Sequence, residues 1–335
     1  MGGTFKPLQS HGIKNVICGR VVKIFNAMKI ILVIGNGFDL DLGWKTTFSQ
    51  FANSSYWPQR PKEHVNLYIA LNQHRSISEW FDLESLLAQY AALRGGQTAP
   101  SNATRDKVFF QQLSENLSGY LLDQQDLSIR EGSTAEKVLK AVLAYPQFTK
   151  IYSYNYTNLK TIAERLGIKA QFNYEHVHGS LEKGTPILGI PDSIDVLSEY
   201  EFLYKTFNRN YSSHPIPYDL MEADEVIFFG HSLGKIDYHY FQQFFQMQVR
   251  QDMKREDGKR ITIFTYDDAS RMSILKQLRE MNNKKTNVLY TQNEFNLIMT
   301  DGSDEKSVQN FLSSFNQRLT AEVKRTGYKI KLGRL

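Results

Sequence analysis

Met28-Lys-Ile-Ile-Leu-Val-Ile-Gly-Asn-Gly-Phe-Asp-Leu40 is the stretch of sequence that decides the fold. Residues 30–34 are all apolar, which predicts a strand buried on both faces of a parallel sheet. Gly35 and Gly37 follow directly, and glycines let the chain turn sharply and let its backbone come close to a ligand. The stretch therefore predicts a first strand that ends in a nucleotide-binding turn.

Composition and charge limit the class of protein. The 335 residues are 41% hydrophobic, enough for a globular chain with a large core. Nine of the 40 basic residues lie in 1–27 and 324–335, which hold no acidic residue, so the rest of the chain has 31 basic against 35 acidic residues. A surface that follows nucleic-acid phosphates needs a basic body, so this distribution argues against nucleic-acid binding.

The single cysteine, Cys18, excludes a disulfide framework and a cysteine-based zinc site, and we expect a cytoplasmic protein. No apolar segment approaches the roughly 20 residues needed to span a membrane, so no membrane partner is expected. Arg20 and Lys23 interrupt residues 16–27, unlike the core of a signal peptide. Because Met28 directly precedes the first strand, we expect 1–27 to be an N-terminal extension outside the fold.

Two kinds of segment alternate along the chain. After a short helix near 46–51, apolar residues recur at spacings of three and four through 57–145, which predicts a helical insertion. From 146 to 320, apolar runs alternate with helical segments. We therefore predict a Rossmann-like α/β domain of residues 28–56 and 146–320, with a mostly parallel sheet and helices on both faces. A basic C-terminal tail, 321–335, follows it.

The expected strands after the first predict where a ligand would bind. They are 149–153, 172–178, 187–190, 226–229, 261–265 and 287–290. In a parallel sheet, ligands bind beyond the carboxyl ends of the strands. Unusual polar residues follow four predicted strands, and if these strands are parallel their loops can converge on one edge of the sheet. The four loops are 35–39, 153–158, 176–180 and 230–234.

The first loop is not a complete dinucleotide fingerprint. It lacks the third glycine, and no second strand with an acidic residue follows about 20 residues on. A glycine pair between a strand and a helix can also be only a tight turn. Asp39 would repel a phosphate, so we expect it to contact a ribose hydroxyl, cap the helix or hold a cation.

Gly-His-Ser-Leu-Gly at 230–234 lies between a predicted strand and helix, as a serine-hydrolase nucleophile does. In the fold that carries this kind of nucleophile turn, the histidine base follows the serine in sequence. Only His239 lies beyond Ser232, seven residues on in the next helix and too near to act as the base. The motif instead predicts small residues that let a backbone amide face a phosphate.

His176 and His178 are two residues apart on a predicted strand, so we expect both to point to one face. Such histidines are typical of packing or hydrogen-bonding groups, although with Asp39 and the carboxylates of 79–84 they could hold a metal. The acidic residues Glu79, Asp82 and Glu84 are expected on the exposed face of a helix, although Trp80 and Asp82 could reach the edge of the sheet where the loops converge. The two tyrosines of 154–156 are expected in the core or stacked on a ring.

Together these motifs resemble those of AbiH, a bacterial abortive-infection family that acts against phage. The likeness covers about 28–320 and implies an anti-phage effector. The motifs that carry it, in order, are Asn36-Gly37-Phe38-Asp39-Leu40 with Gly43 and Thr46, Trp80-x-Asp82-Leu83-Glu84, Asn155-Tyr156-Thr157, His176-Val177-His178-Gly179, and Gly230-His231-Ser232-Leu233 with Asp237.

More distantly, the order of motifs is similar to the sirtuin-type NAD-binding fold. That resemblance implies that Asn155 holds the ribose and a water and that His178 acts as the base, so these two are the expected catalytic residues. Asn36 replaces the usual alanine, and the four cysteines of the sirtuin zinc module are absent, so neither zinc nor protein deacylation is expected. The implied cofactor-binding residues are Gly35, Asn36, Gly37, Phe38, Asp39, Thr157, Gly179, Gly230, His231 and Ser232.

The reaction implied by these resemblances is hydrolysis of NAD or a relative at its glycosidic bond. The bond breaks through an oxocarbenium-like centre, and a neutral imidazole can activate water or a 2′-hydroxyl. Nicotinamide leaves as a neutral group, so no acid is required. Loss of NAD would stop phage growth in an infected cell. A phage trigger or partner protein and a homo-oligomer are both compatible with this function.

Two other functions stay open at this point. In the first, the same edge of the sheet binds a nucleotide without turnover, and the helical insertion passes the signal to a partner. In the second, Asp39, His176 and His178 hold the metal of a nuclease, although the preferred prediction contains no metal site.

Overall fold

The computed structural model describes residues 16–17, 20–21, 27–77, 82–95, 103–182, 184 and 186–327. Its centre is a six-stranded sheet in which all neighbouring strands are parallel. The strands are β1 Ile30–Ile34, β2 Thr149–Ser153, β3 Asn173–His176, β4 Glu225–Phe229, β5 Arg260–Thr265 and β6 Glu294–Met299. Ahead of them, Val16–Ile17 pairs antiparallel with Arg20–Val21.

The spatial order of the strands is β3-β2-β1-β4-β5-β6. This is the order of the doubly wound dinucleotide-binding fold, in which the chain moves outward from the centre first to one edge and then to the other. The prediction of a Rossmann-like parallel sheet is therefore confirmed.

Helices surround the sheet within the described residues. In chain order they are α1 Asn36–Asp41, α2 Phe48–Ala52, α3 Asn66–Ile77, α4 Leu83–Gly95, α5 Ala103–Asp126, α6 Thr134–Leu143, α7 Leu159–Arg165, α8 Ile216–Glu222, α9 Tyr238–Met247, α10 Asp268–Met281, α11 Thr286–Gln292 and α12 Glu305–Thr326. None of the described helices is long and apolar enough to cross a membrane.

Successive side chains of β1 enter two different hydrophobic cores. Ile30, Leu32 and Ile34 belong to the core that α6, α7 and α12 cover. Ile31 and Val33 belong to the core under α8, α9, α10 and α11. Because side chains alternate along a strand, an unbroken apolar run is what a strand between two helical layers requires.

A third hydrophobic core lies outside the sheet and joins α2, α3, α4 and α5 to a 3-10 segment, Ser198–Leu203. We call these five elements the helical unit. The predicted insertion is 57–145, but α2 and Ser198–Leu203 lie outside that range, and α6 packs on the sheet. The last helix continues to Thr326, past the predicted start of the tail at 321.

Two predicted strands are wrong. Residues 287–290 lie in α11, and the edge strand β6 follows it. Four residues cannot distinguish a buried strand from a helix turn, and β6 mixes exposed and buried positions without a strict alternation that would mark it in the sequence. Residues 187–190 form no strand and contribute one bridge, from Ile190 to Tyr204.

Candidate functional site

The strand order places a crevice between the carboxyl ends of β1 and β4, where the connections leave in opposite directions. A cavity of about 370 Å³ lies here, which we call the central cavity. Its walls come from the loops after β1, β2, β3 and β4 and from α2, α4 and α5. Its lining includes Gly35, Asn36, Asp39, Thr46, Asp82, Glu84, Tyr154, Asn155, Tyr156, Thr157, His178, Gly230, His231, Ser232, Lys235 and Asp237.

The glycines of the first and fourth loops allow the two backbones to pack directly on each other. The Gly37 amide donates to the Gly230 carbonyl at 2.9 Å. A Cβ at Gly35 would lie 2.5 Å from the Cα of His231, and one at Gly37 would lie 2.6 Å from the Cα of Gly230. Gly230 has φ +63° and would place a Cβ 2.4 Å from Gly37. These glycines therefore permit a close approach of the first loop to the fourth loop.

Asp39 is a buried acid at the base of the cavity, with 1% of its surface exposed. One carboxylate oxygen accepts from the Asn155 amide at 2.8 Å, and the other accepts from the Thr157 hydroxyl at 2.9 Å. Burial raises the pKa of Asp39 to about 7, although these two hydrogen bonds oppose the shift. Near neutral pH a large fraction of this carboxyl is uncharged, which reduces its repulsion of a phosphate.

Asn155 uses both hydrogens of its side-chain amide within the protein. One goes to Asp39 and the other to the Gly35 carbonyl at 3.1 Å. Asn155 thereby ties the end of β2 to the loop after β1. Its carbonyl oxygen is the group that this side chain has left for a ligand.

His178 and Asp237 form a buried pair in the wall of the cavity. The His178 Nε2 lies 3.1 Å from an Asp237 oxygen. Burial alone would raise the pKa of Asp237, but the histidine hydrogen bonds and the Lys205 cation hold it well below its usual value. An ionised carboxylate only accepts, so the His178 Nε2 carries the hydrogen and Nδ1 keeps a lone pair.

His231 reaches the other oxygen of Asp237. The Leu233 amide donates to the His231 Nδ1 at 3.0 Å, so in the neutral ring the hydrogen is on Nε2, which lies 3.6 Å from Asp237. Leu233 adopts φ +52°, a left-handed conformation that is uncommon for a leucine. The loop after β4 thus adopts a strained backbone conformation in which it orients His231.

A second ion pair lies next to His178. The Lys205 ammonium is 2.9 Å from a Glu84 oxygen and 3.4 Å from the His178 Nε2. The Tyr156 hydroxyl donates to the other Glu84 oxygen at 3.2 Å. Glu84 was expected on the exposed face of a helix, so this expectation is wrong: the residue is the second of α4 and points into the cavity wall.

Tyr154 contributes a buried hydroxyl to the cavity. The residue is 8% exposed, and its hydroxyl has no hydrogen-bond partner among the described residues. Its ring packs edge-on against His178 and His231, with centroid distances of 5.3 and 4.4 Å. A buried polar group without a partner is costly, which is consistent with a ligand that completes it.

The structure brings most of the expected site residues together. Of the two expected catalytic residues and the ten expected cofactor contacts, three residues do not line the central cavity: Gly37, Phe38 and Gly179. Phe38 is fully buried and packs on Phe229, because α1 turns it into the sheet core. Gly179 lines a separate cavity beside His176.

The two histidines of the third loop do not share a face. β3 ends at His176, so the alternation of a strand does not extend to His178. The His176 Nδ1 lies 3.0 Å from the backbone carbonyl oxygen of Asn155, whereas His178 contacts Asp237. Within the described residues, no cluster of three or more histidine, cysteine or acidic side chains could hold a metal ion.

Sequence reasoning missed several residues of the site. Asp237 was noted only as part of a motif, and Lys205 was not singled out, because nothing near it in the sequence marks a buried lysine. Asp82 was not missed, because a position at this edge was left open for it: it lies at the cavity and accepts from the Ser85 amide at the start of α4. Trp80, part of the same motif, lies outside the described residues.

The fold and the cavity define a class of protein: a doubly wound α/β chain with a ligand-sized cavity at the switch point of its sheet. A family model described as Bacteriophage abortive infection AbiH matches residues 31–255, more than half of the chain. The chain therefore belongs to the AbiH family, and its role is in abortive infection, the defence against phage. No curated protein matches it.

Proposed function

We propose that the central cavity binds NAD or a related nucleotide and that the chain hydrolyses its glycosidic bond. The observation that carries the proposal is the His178–Asp237 pair in the wall of a cavity at the switch point of the sheet. A base held by an ionised carboxylate is the usual arrangement for activating a hydroxyl or a water.

Three residues of the cavity have distinct roles in this reaction. His178, with its Nε2 hydrogen given to Asp237, takes a proton from water or from the ribose 2′-hydroxyl at Nδ1. Asp237 stabilises the imidazolium that results. Asn155 accepts from a ribose hydroxyl or the water through its free carbonyl oxygen. Nicotinamide leaves as a neutral group. The charge that the site has to stabilise is therefore the positive charge that develops on the sugar.

The backbone and hydroxyl groups of the first, second and fourth loops bind the rest of the nucleotide in this proposal. Asn36, Thr157, Gly230 and Ser232 line the cavity around Asp39. Because a large fraction of Asp39 is neutral near pH 7, a phosphate can lie near it without full charge repulsion.

The test follows free nicotinamide after NAD is added to the purified chain. His178→Ala should lower turnover by about 10²–10⁴-fold, the usual contribution of a general base. His74→Ala changes an exposed histidine of α3 and should leave turnover unchanged. Equal turnover in the wild type and His178→Ala would contradict the assignment.

A second test supplies any phage component that the activity requires. It measures total NAD in infected cells that express the chain. NAD should fall after infection with the wild type and with His74→Ala, and it should persist with His178→Ala. NAD that persists with the wild type as well would contradict hydrolysis in the infected cell.

A non-catalytic nucleotide sensor is the second candidate. It is favoured by Asn155, whose amide hydrogens tie two loops together and so give this residue a structural role. Two results together would support sensing: calorimetry shows that the purified chain binds NAD, and no nicotinamide is released either by the purified chain or in infected cells. The nuclease alternative has no comparable support, because Asp39, His176 and His178 each contact different partners.

A further inference from the structure

We propose that Glu84 and Lys205 are a positioning pair through which the helical unit sets the charge state of His178. The inference rests on the proposed function in one respect, namely that His178 is the base. Neither residue belongs to the catalytic or nucleotide-contacting set described above.

Lys205 is an unusual lysine because it is only 5% exposed. A buried ammonium needs a compensating charge, and Glu84 supplies it at 2.9 Å. The two residues are 121 positions apart in the sequence. Glu84 is the second residue of α4 of the helical unit, and Lys205 begins the 3-10 turn Lys205–Phe207. Their pairing therefore joins the helical unit to the connection between β3 and β4.

The position of Lys205 gives the pair an effect on His178. The His178 Nε2 donates to Asp237, so the Lys205 ammonium, 3.4 Å from the same nitrogen, makes no hydrogen bond to it. What remains is the electrostatic effect of a cation beside an imidazole, and this opposes protonation of the ring. Asp237 favours protonation from the other side.

Other groups around His178 contribute less charge. The Tyr154 ring packs edge-on against it, and burial keeps the pKa of that hydroxyl well above its usual value, so it stays neutral. His239 lines a neighbouring cavity together with His178, and burial lowers its pKa, which favours its neutral form. His231 faces the far oxygen of Asp237. The balance at His178 is therefore between Asp237 and the Glu84–Lys205 pair.

Substitution of the two members of the pair should shift the protonation of His178 in opposite directions. Lys205→Met removes the cation and leaves Asp237 unopposed, so protonation should occur at higher pH. Glu84→Gln removes the compensating anion and leaves the full charge of Lys205, so protonation should occur at lower pH. A role limited to packing would not produce shifts of opposite sign.

The experiment is an NMR titration of ring-labelled histidine in the full chain, which has eight histidines. The His178 resonance is assigned by its loss in His178→Gln. Its midpoint should move up by about half to one pH unit in Lys205→Met and down by a similar amount in Glu84→Gln, shifts of ordinary size for charged neighbours. Lys205→Arg should keep the wild-type midpoint within about 0.3 units, because it retains the charge.

Two further variants serve as controls. Lys140→Met removes the same charge from an exposed lysine that pairs with Glu136 on α6, so the His178 midpoint should not move. The double variant Glu84→Gln/Lys205→Met leaves no unpaired buried charge and should shift the midpoint upward, as Lys205→Met does. Shifts of the same sign in Glu84→Gln and Lys205→Met, or no shift in either, would overturn the proposal.

The titration needs no turnover, so it separates this inference from the proposed function. Where NAD is hydrolysed, the acid limb of kcat/KM should follow the NMR midpoint, with a rate change of about three- to tenfold at pH 6. Opposite NMR shifts without hydrolysis would support the positioning pair and contradict the proposed reaction. If NAD is hydrolysed and the acid limb of kcat/KM does not move in either variant, the role of the pair in positioning is contradicted.

Discussion

Asp39 shows how the environment of one side chain changes its chemistry. The residue follows a glycine-rich turn, where an exposed aspartate would be charged and would repel a phosphate. Its burial under Asn155 and Thr157 raises its pKa to about 7. The same carboxyl can therefore be neutral when a nucleotide is nearby, a property that depends on its burial and on residues more than 100 positions away in the sequence.

This shift has a consequence for stability. The pKa of Asp39 is higher in the folded chain than in the unfolded chain, so its contribution is fully present below about pH 4 and is lost as pH rises through 7. We expect the free energy of unfolding of the wild type to fall by about 2 kcal/mol more than that of Asp39→Asn between pH 5 and pH 8.

Urea denaturation at the two pH values measures this difference. Asparagine can keep both hydrogen bonds, because its oxygen accepts from Asn155 and the Thr157 hydroxyl can turn to accept from its amide. The same pH dependence in both proteins would show that Asp39 ionises normally.

At the scale of elements, the sheet and its loops depend on close backbone contact. β1 and β4 are neighbours, and their loops touch through Gly35, Gly37 and Gly230. This contact forms one side of the central cavity and sets the position of His231. The loops therefore need glycine for packing, whatever ligand they bind.

A comparison of two glycines tests this packing. Gly230→Ala adds a Cβ that collides with Gly37, whereas Gly132→Ala adds one at a similar φ of +72° with no atom within 4 Å. Gly132→Ala should cost about 1 kcal/mol from backbone strain alone. Gly230→Ala should cost about 1–3 kcal/mol more, because the two loops must separate. Thermal denaturation of both variants measures the difference, and equal losses would contradict the packing role.

At the scale of the whole molecule, one buried acid links four of the five elements of the helical unit. Asp106 of α5 is fully buried and accepts from the Leu67 amide and the Tyr200 hydroxyl, each at 2.9 Å, and from the Tyr90 hydroxyl. These partners lie on α3, α4 and Ser198–Leu203. Asp106 therefore links α3, α4, α5 and Ser198–Leu203, including the helix that carries Glu84 to the cavity.

Removal of this acid should loosen the unit as a whole. Asp106→Ala removes the acceptor of three buried hydrogen bonds, and we expect a loss of about 3–5 kcal/mol in unfolding free energy. Asp123→Ala, on the same helix, removes a similar bond from Tyr56 at an exposed position and should cost less than about 1 kcal/mol. Chemical denaturation gives both values.

Hydrogen exchange locates the effect of Asp106→Ala. Amides of α3 and α4 should exchange faster in this variant, while those of β1 and β4 should keep more of their protection. Unchanged exchange in α3 and α4 would show that Asp106 does not connect the unit.

Local patterns determined much of the fold. The apolar run of β1, the threonine and asparagine that cap α2 and α7, and the alternation of strands with helices can all be recognised from neighbouring residues. Where the local pattern was ambiguous, the prediction failed: 287–290 is apolar enough for a strand but forms part of α11. The sequence also placed four polar loops at one edge, because parallel strands end on the same side.

Only the tertiary structure decided how those loops interact. The neutral fraction of Asp39, the loop contact at Gly230 and the cation beside His178 come from residues that are distant in sequence. Local patterns reflect the conformational preferences of neighbouring residues. Desolvation, close contact and charge balance depend on distances in space, and those distances are defined only when the chain has folded.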